Sequence, residues 1–495
     1  MADRTTERRL SDLGLRAAGG ADPVLAGMTA DSRSLAPGCL FAALPGSRVH
    51  GADHAAAALA RGAAAILTDA AGAARIRAAG GTGEAALVVA EDAREAFARA
   101  AALWFGAQPA TMAAVTGTNG KTSVATFARQ IWAMRGHAAI NIGTTGLEGA
   151  MSAPSAHTTP DTLALHRLLA QAAAQGVTHA AMEASSHGLD QRRLDGVTLA
   201  AAAFTNLTQD HLDYHGTMEA YWKAKQGLFG RLLPPGGAAV VNIDDPKGME
   251  LAFLCTGRGH RLIRVGTAEG AHLRLLGSRP DATGREICCE WEGRAHQMRL
   301  PLIGAFQAMN ALTAAALVIG AGEDAEAALA CLPRLEGVRG RMQHVATRAN
   351  GAPVFVDYAH TPDALSTALS ALRPHVMGRI VAVFGAGGDR DRSKRPLMGA
   401  AAAAHADVLI VTDDNPRTED PAAIRAAIRA ACPEAEEVPD RAEAILRGVD
   451  ALGPGDALII AGKGHETGQI VGTDVYPFDD AEAASISVAA LDGRI

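Results

Sequence analysis

The sequence predicts an α/β protein of roughly two to four domains with largely parallel sheets. Three observations carry that expectation. At 495 residues the chain is too long for one compact core. Apolar residues make up 48% and charged residues 20%, a globular rather than a disordered balance. Short β-rich apolar runs recur along the chain, each followed by a glycine turn and a helical pattern.

Taken in order, the first stretch runs to about Pro109. It offers strands near Leu40–Leu44 and Ala64–Leu67, the polar segment Asp31-Ser32-Arg33 and the turn Pro37-Gly38. A second unit opens with a strand at Met112–Val115. It continues through a helix at Val124–Met134 and strands near His179–Met182, Ala200–Phe204 and Ala238–Asn242. From Gly266 to Arg299 the pattern is that of β-hairpins, and a helix is expected over Ala305–Ile319. After Gly337-Val338-Arg339-Gly340-Arg341 come strands Ile380–Phe384, Val408–Thr412 and Ala457–Ala461, each ending in a Gly- or Asp-rich loop. Ligands of open parallel sheets sit beyond the carboxyl ends of strands, so these three loops are expected to face one crevice.

Composition narrows the function classes. A net charge of −7 gives no basis for nucleic acid or an anionic membrane as partner. The six cysteines are scattered without a C-x-x-C pair, which reads as reduced thiols. No apolar run approaches a membrane span and the N-terminal MADRTTERRL is not a secretory signal, so a cytoplasmic protein is expected. Lysine is scarce, six against 40 arginines, so each lysine is a candidate for work a guanidinium cannot do.

The segment Val115-Thr116-Gly117-Thr118-Asn119-Gly120-Lys121-Thr122-Ser123 sits between a strand and a helix. Such a loop aims backbone N–H groups at phosphate, with Lys121 reaching the terminal phosphates and Thr122 a magnesium ion. No Asn-Lys-x-Asp guanine signature accompanies it. Instead a strand ends in Glu183-Ala184-Ser185-Ser186-His187-Gly188, and Thr205 to His215 forms a polar run containing His211. Glu183 offers an oxygen ligand to a hard cation. His211 reads either as a ligand or as a hydrogen-bonded surface histidine. Lys225 lies close in sequence to that run, and a partly buried lysine with a lowered pKa reacts as a neutral amine. With carbon dioxide it gives a carbamate able to hold a second magnesium, although spacing alone does not establish this.

Thr116–Ser123, Glu183–Leu189, Phe204–His215 with Lys225, Gly304–Asn310, Asp357–Leu365 and Phe384–Met398 together resemble the Mur ligase family of amide-forming synthetases, in family order over nearly the whole chain. The resemblance implies three α/β domains. These are a UDP-substrate-binding domain at 1–110, a central P-loop ATPase with a mostly parallel sheet at 111–338, and a Rossmann-like amino-acid-binding domain at 339–495. It implies ATP as co-substrate held by Gly117, Thr118, Asn119, Gly120, Lys121, Thr122 and Ser123, with Asn310, Arg341 and Asp357 at base, phosphate and ribose. Mg2+ would lie on Thr122, Glu183, His211 and carbamylated Lys225, the last three acting with Lys121 in catalysis. Ser32, Ser47, Arg48 and Val49 match the uridine end of a UDP-N-acetylmuramoyl-dipeptide site, and Thr158, Thr159, Ser185, Gln191 and Arg193 its peptide end. Gln307 stands where the family's Phe-Asn-x-x-Asn pattern has asparagine, and His157 where some relatives have it.

The incoming amino acid is expected at Asp414-Asn415-Pro416-Arg417. Arg417 offers a planar fork to a carboxylate and Asp414 pairs with an ammonium, the two groups at the far end of meso-diaminopimelate; lysine lacks that carboxylate. The resemblance adds Arg390, Gly462 and Glu466 to this pocket. It implies addition of meso-diaminopimelate to a D-glutamate γ-carboxylate through an acyl phosphate in peptidoglycan precursor synthesis, with domain closure excluding water, by a monomer. A lysine-adding relative or a folylpolyglutamate synthase is the alternative. Lys394, Lys463 and His360 fall near the expected pocket without an assigned step.

Overall fold

The computed structural model describes residues 7–46, 49–154, 157–281 and 283–494; the expectations for Ser47 and Arg48 lie outside these. The chain divides into two compact units, Met1–Arg264 with Ala316–Ala325, and Val265–Ala315 with Glu326–Ile495.

The first unit holds two sheets. The smaller pairs strands Gly27–Thr29, Cys39–Ala42, Ala65–Thr68 and Ala86–Val89, all parallel and in chain order. Its middle strands are buried on both faces, the state that continuous apolar runs such as Ala65-Ile66-Leu67 require. Ser32 follows the first of these strands in a turn where Arg33 closes a bidentate pair with Asp31.

The larger sheet of this unit places Thr111–Thr116 between Ala201–Phe204 and His179–Glu183, with Ala238–Asn242 and Ala139–Gly143 flanking them, all parallel. Gly146–Gly149 turns back antiparallel at the edge. Alanines 113, 114, 180, 181 and 201–203 are fully buried here, and their small side chains let helices approach both faces closely. The two sheets' elements also touch within the unit: Gln108 exchanges amide hydrogen bonds with Thr198, and Arg192 pairs with Asp92 at 2.9 Å.

The second unit begins with antiparallel strands Leu273–Asp281, Gly284–Trp291 and Arg294–Leu300, the expected hairpins. Its main sheet runs Gln343–Thr347, Pro353–Asp357, Ala457–Ala461, Ile380–Phe384, Val408–Val411 and Glu436–Glu437, parallel except for the first strand. The inner strands Val-Phe-Val, Ile-Val-Ala-Val-Phe and Ala-Leu-Ile-Ile-Ala are almost wholly buried under helices on both sides, a doubly wound layer. Among the described residues no helix is long and apolar enough to cross a membrane.

Candidate active site

In the first unit every predicted catalytic position lies at the carboxyl edge of the larger sheet. Strand Thr111–Thr116 delivers the glycine loop, and helix Lys121–Met134 starts at its end with Gly120 as left-handed N-cap at φ 86°. Gly117 has φ 148°, and a Cβ there would sit 1.9 Å from Thr205 Oγ1, so only glycine fits. The neighbouring loop holds this one in shape. Thr118 N donates to Asn206 O at 2.9 Å, Asn119 N to Asn206 Oδ1 at 2.9 Å, and Thr205 Oγ1 to Asn119 O at 2.6 Å. Lys121 Nζ donates to the carbonyls of Gly117 at 2.9 Å and Thr118 at 2.6 Å, while Thr122 and Ser123 sit in the first helical turn, nearly buried.

Lys225 comes from helix Met218–Gly227, which Thr217 caps. It is 1% exposed, and its Nζ donates to Gly117 O at 2.6 Å, the same carbonyl that Lys121 reaches. Its ammonium lies 4.4 Å from the centre of the Tyr221 ring. Burial, with the Lys121 charge beside it, pushes the Lys225 amine well below its ordinary pKa. Tyr221, whose hydroxyl meets Thr118 Oγ1 at 3.2 Å, therefore braces both the loop and Lys225; nothing in its spacing marks it out.

Glu183 ends its strand 1% exposed. Its Oε1 accepts from Thr144 N at 2.7 Å and its Oε2 from Thr144 Oγ1 at 3.4 Å. His211 is exposed, has φ 53°, and packs edge-on against His187 with ring centres 4.9 Å apart.

The residues expected to hold the peptide end of the substrate form one network beside Glu183. Thr159 Oγ1 donates to Glu183 O at 2.8 Å and accepts from Ser185 N and Oγ, both at 3.0 Å. Ser185 caps helix Ser186–Asp190 by accepting from Gly188 N. Arg193 Nη1 donates to Thr159 O at 2.6 Å and its Nη2 to Gln191 Oε1 at 2.7 Å; Gln191 in turn donates to Tyr214. Thr158 joins through the Thr144 hydroxyl at 3.1 Å. Ser32 and Val49 belong to the smaller sheet's loops, and Val49 is exposed. His157 is exposed.

In the second unit, the three loops expected to share a crevice do meet. Lys463, wholly buried, donates to Asn415 Oδ1 at 2.7 Å and to Gly468 O at 2.8 Å. Asn415 Nδ2 donates to Glu466 Oε2 at 2.9 Å. Gly462 has φ 118°, and a Cβ there would come within 2.5 Å of the Asp414 carboxylate. Arg417 Nη1 donates to Gly388 O at 2.8 Å, joining the tetrapeptide to the loop that carries Arg390. Lys394 Nζ donates to His360 O at 2.8 Å. Beneath these loops the fully buried Arg441–Asp480 pair anchors two strand ends, Arg441 donating to Asp413 O and Ala461 O.

A cavity of about 590 Å³ in the same unit is lined by Gln307, Arg341, Met342 and Phe355 among others, a size suited to a nucleoside. Asn310 Nδ2 donates to Gln307 Oε1 at 3.0 Å, so the glutamine keeps an amide contact with its asparagine neighbour. Asp357 Oδ2 accepts from Met342 N at 2.7 Å, and burial raises its pKa against the pull of Arg341. The Arg341 guanidinium lies 5.1 Å from the centre of the Tyr358 ring.

Backbone strain marks the same places. Six non-glycine residues among those described have positive φ, and five of them, Arg192, His211, Met342, Asp389 and Arg417, are predicted site residues or their immediate neighbours. Such conformations persist where the surroundings over-determine them, and they gather at ligand clamps. Arg417 shows how: its N–H donates to Ile470 O at 3.1 Å, and its carbonyl accepts from Gly472 N at 2.7 Å.

Three stretches of the chain match known family descriptions. Residues 24–104 match the description "Mur ligase family, catalytic domain", 115–318 "Mur ligase middle domain", and 340–464 "Mur ligase, glutamate ligase domain". The chain is 52% identical over 493 residues to UDP-N-acetylmuramoyl-L-alanyl-D-glutamate–2,6-diaminopimelate ligase of Caulobacter vibrioides, covering 98% of this chain and 99% of that one. A solved structure of a ligase with the same name superposes with a TM-score of 0.70 at 34% identity, over 94% of this chain and 95% of the other. The MurF ligase of Thermotoga maritima, solved in complex with ADP, shares the fold with a TM-score of 0.58 at 17% identity, over 98% of this chain and 99% of the other.

Proposed function

This chain belongs to the Mur ligase family, and we propose that it adds meso-diaminopimelate to the D-glutamate γ-carboxylate of UDP-N-acetylmuramoyl-L-alanyl-D-glutamate at the expense of ATP. The observation that carries this reading is the joined set of loops around Asp414–Arg417. They hold a carboxylate and a guanidinium on one rigid frame with Lys463 and Glu466. Such a frame suits an amine that ends in both ammonium and carboxylate, and it leaves Arg417 without its counterpart if lysine is the amine.

The glycine loop, with Lys121 at its end, is assigned to the ATP phosphates, and Asn310, Arg341 and Asp357 to base, phosphate and ribose. Thr159, Ser185, Gln191 and Arg193, one hydrogen-bonded group against the Glu183 strand end, are assigned to the peptide of the UDP substrate, with Thr158 beside them. Ser32, Ser47, Arg48 and Val49 are assigned to its uridine end. Arg390, Gly462 and Glu466 complete the amino-acid pocket. In the reaction the γ-carboxylate attacks the ATP γ-phosphorus and ADP leaves. The diaminopimelate amine then attacks the acyl phosphate and inorganic phosphate leaves.

The residue set around the loop fits Mg2+. Glu183 is a buried carboxylate among neutral donors, Thr122 a hydroxyl in the first helical turn, and Lys225 an amine whose pKa burial lowers well below the ordinary value. We assign Thr122, Glu183, His211 and Lys225, carbamylated by carbon dioxide, as the holders of two such ions, the carbamate serving the second. When bound they would neutralise the charge crowded between carboxylate and triphosphate. Domain boundaries near 110 and 338, a monomer and a cytoplasmic location complete the proposal.

Purified protein with ATP and Mg2+ is expected to release phosphate only when the UDP-muramoyl-dipeptide and diaminopimelate are both present. Steady release without the dipeptide would mark a plain ATPase and contradict the ligase reading.

A further inference from the structure

At the opposite edge of the larger sheet from the glycine loop, three side chains converge that the ligase reaction does not use. His137 follows helix Lys121–Met134 after the turn at Gly136, His179 is the first residue of the strand that Glu183 ends, and Glu323 follows Gly322. One ligand atom from each lies within 4.8 Å of the other two, the one such group of three His, Cys, Asp or Glu side chains among the described residues. His137 Nε2 stands 2.5 Å from Glu323 Oε1, and the two imidazole rings are 4.0 Å apart.

The surroundings prepare these atoms as ligands. Thr178 Oγ1 lies 2.9 Å from His179 Nδ1 and 3.3 Å from Ala138 O. A hydroxyl in contact with one ring nitrogen holds the imidazole in place, the outer-sphere device that orients metal-binding histidines. Arg135 Nε donates to Glu323 Oε2 at 3.2 Å, which orients the carboxylate and leaves Oε1 turned to His137.

We propose that His137, His179 and Glu323 bind a zinc-type divalent cation. Two imidazoles and one carboxylate are a borderline-soft ligand set that favours zinc over magnesium. His179 and Glu183 stand at opposite ends of one strand, about 13 Å apart at roughly 3.3 Å per residue. The ion therefore acts as a clip and takes no part in phosphoryl transfer. It ties the end of the glycine-loop helix to the start of that strand and to the turn carrying Glu323.

The test uses the whole protein, stripped with a chelator and titrated with Co2+ in excess Mg2+. Wild type is expected to take up one equivalent, with a visible d–d absorption band and a raised Tm. His137→Gln combined with His179→Gln is expected to lose both while keeping Mg2+-dependent ligase activity. Glu323→Gln, which keeps the shape of the side chain, is expected to weaken zinc binding about tenfold or more. No band at stoichiometric Co2+, a band that survives in the double variant, or a thiolate charge-transfer band pointing to cysteine would each overturn the proposal. So would unchanged zinc affinity in Glu323→Gln.

Discussion

Lys225 and Lys121 donate to one carbonyl, that of Gly117, and two ammonium groups so placed repel each other in a buried setting. Converting Lys225 to a carbamate would turn that repulsion into attraction, a change open to an amine and closed to a guanidinium. Lys225→Ala is expected to lower ligase turnover by about a hundredfold or more, the scale of losing a group that stabilises transition-state charge. Wild type equilibrated with 13C-bicarbonate is expected to show a carbamate carbon resonance that the variant lacks. Full activity in Lys225→Ala would remove the residue from the site. Scarcity of lysine made Lys225 legible as a candidate, and the glycine loop was legible because strand, loop and helix are contiguous. The meeting of Lys225 with Gly117 was not, since 108 residues separate them. Tyr221 and Thr144 stayed hidden for the same reason: each acts through a tertiary contact that no local pattern encodes.

Strand ends do most of the positioning. Glu183 is aimed by the turn after strand Ala139–Gly143, where a Cβ on Gly143 would lie 2.0 Å from Glu183 Oε1. Gly143→Ala is accordingly expected to displace that carboxylate, raising the Mg2+ concentration needed for half-maximal activity while leaving diaminopimelate KM unchanged. An unaltered Mg2+ dependence would detach Glu183 from the metal. In the second unit the Arg441–Asp480 pair, with both side chains at 0% exposure, holds the strand ends that carry Asp413 and Ala461. Removing one partner leaves the other charge buried alone, so Asp480→Ala is expected to cost about 3–5 kcal/mol in urea unfolding. A loss below 1 kcal/mol, by the same measure, would show that the pair is not an anchor (about the value of a surface pair). The parallel strands were readable as apolar runs with glycine-rich ends. The crevice followed from sheet topology, but the buried anchor under it did not, because Arg441 and Asp480 lie 39 residues apart and no local pattern pairs them.

Across the molecule, histidines buried as neutral rings set an acid limit. His166 is 3% exposed, its Nε2 finds no hydrogen-bond partner among the described residues, and burial lowers its pKa from 6.5 to about 4. As pH falls below 6.5 the unfolded chain takes up this proton before the folded one. Stability is therefore full above about 6.5, declines as pH falls toward 4, and takes no further loss from this group below that. His166→Leu is expected to flatten the fall in urea midpoint between pH 6.5 and 4.5 relative to wild type; an identical slope would mean that His166 titrates normally when folded. The α/β architecture was legible because strand, loop and helix follow one another along much of the chain, whereas a division into three was implied by the family resemblance alone. Gln307 and His157 were the open departures, and of these Gln307 accepts a hydrogen bond from Asn310. The choice of amine is the claim on which the whole reading turns, and it rests on Arg417 and Asp414. Purified protein given ATP, Mg2+ and the UDP-muramoyl-dipeptide with equal meso-diaminopimelate and L-lysine should form almost exclusively the diaminopimelate tripeptide. Arg417→Ala should lose about ten- to a hundredfold of that preference. A wild-type product that is mainly the lysine tripeptide would contradict the account.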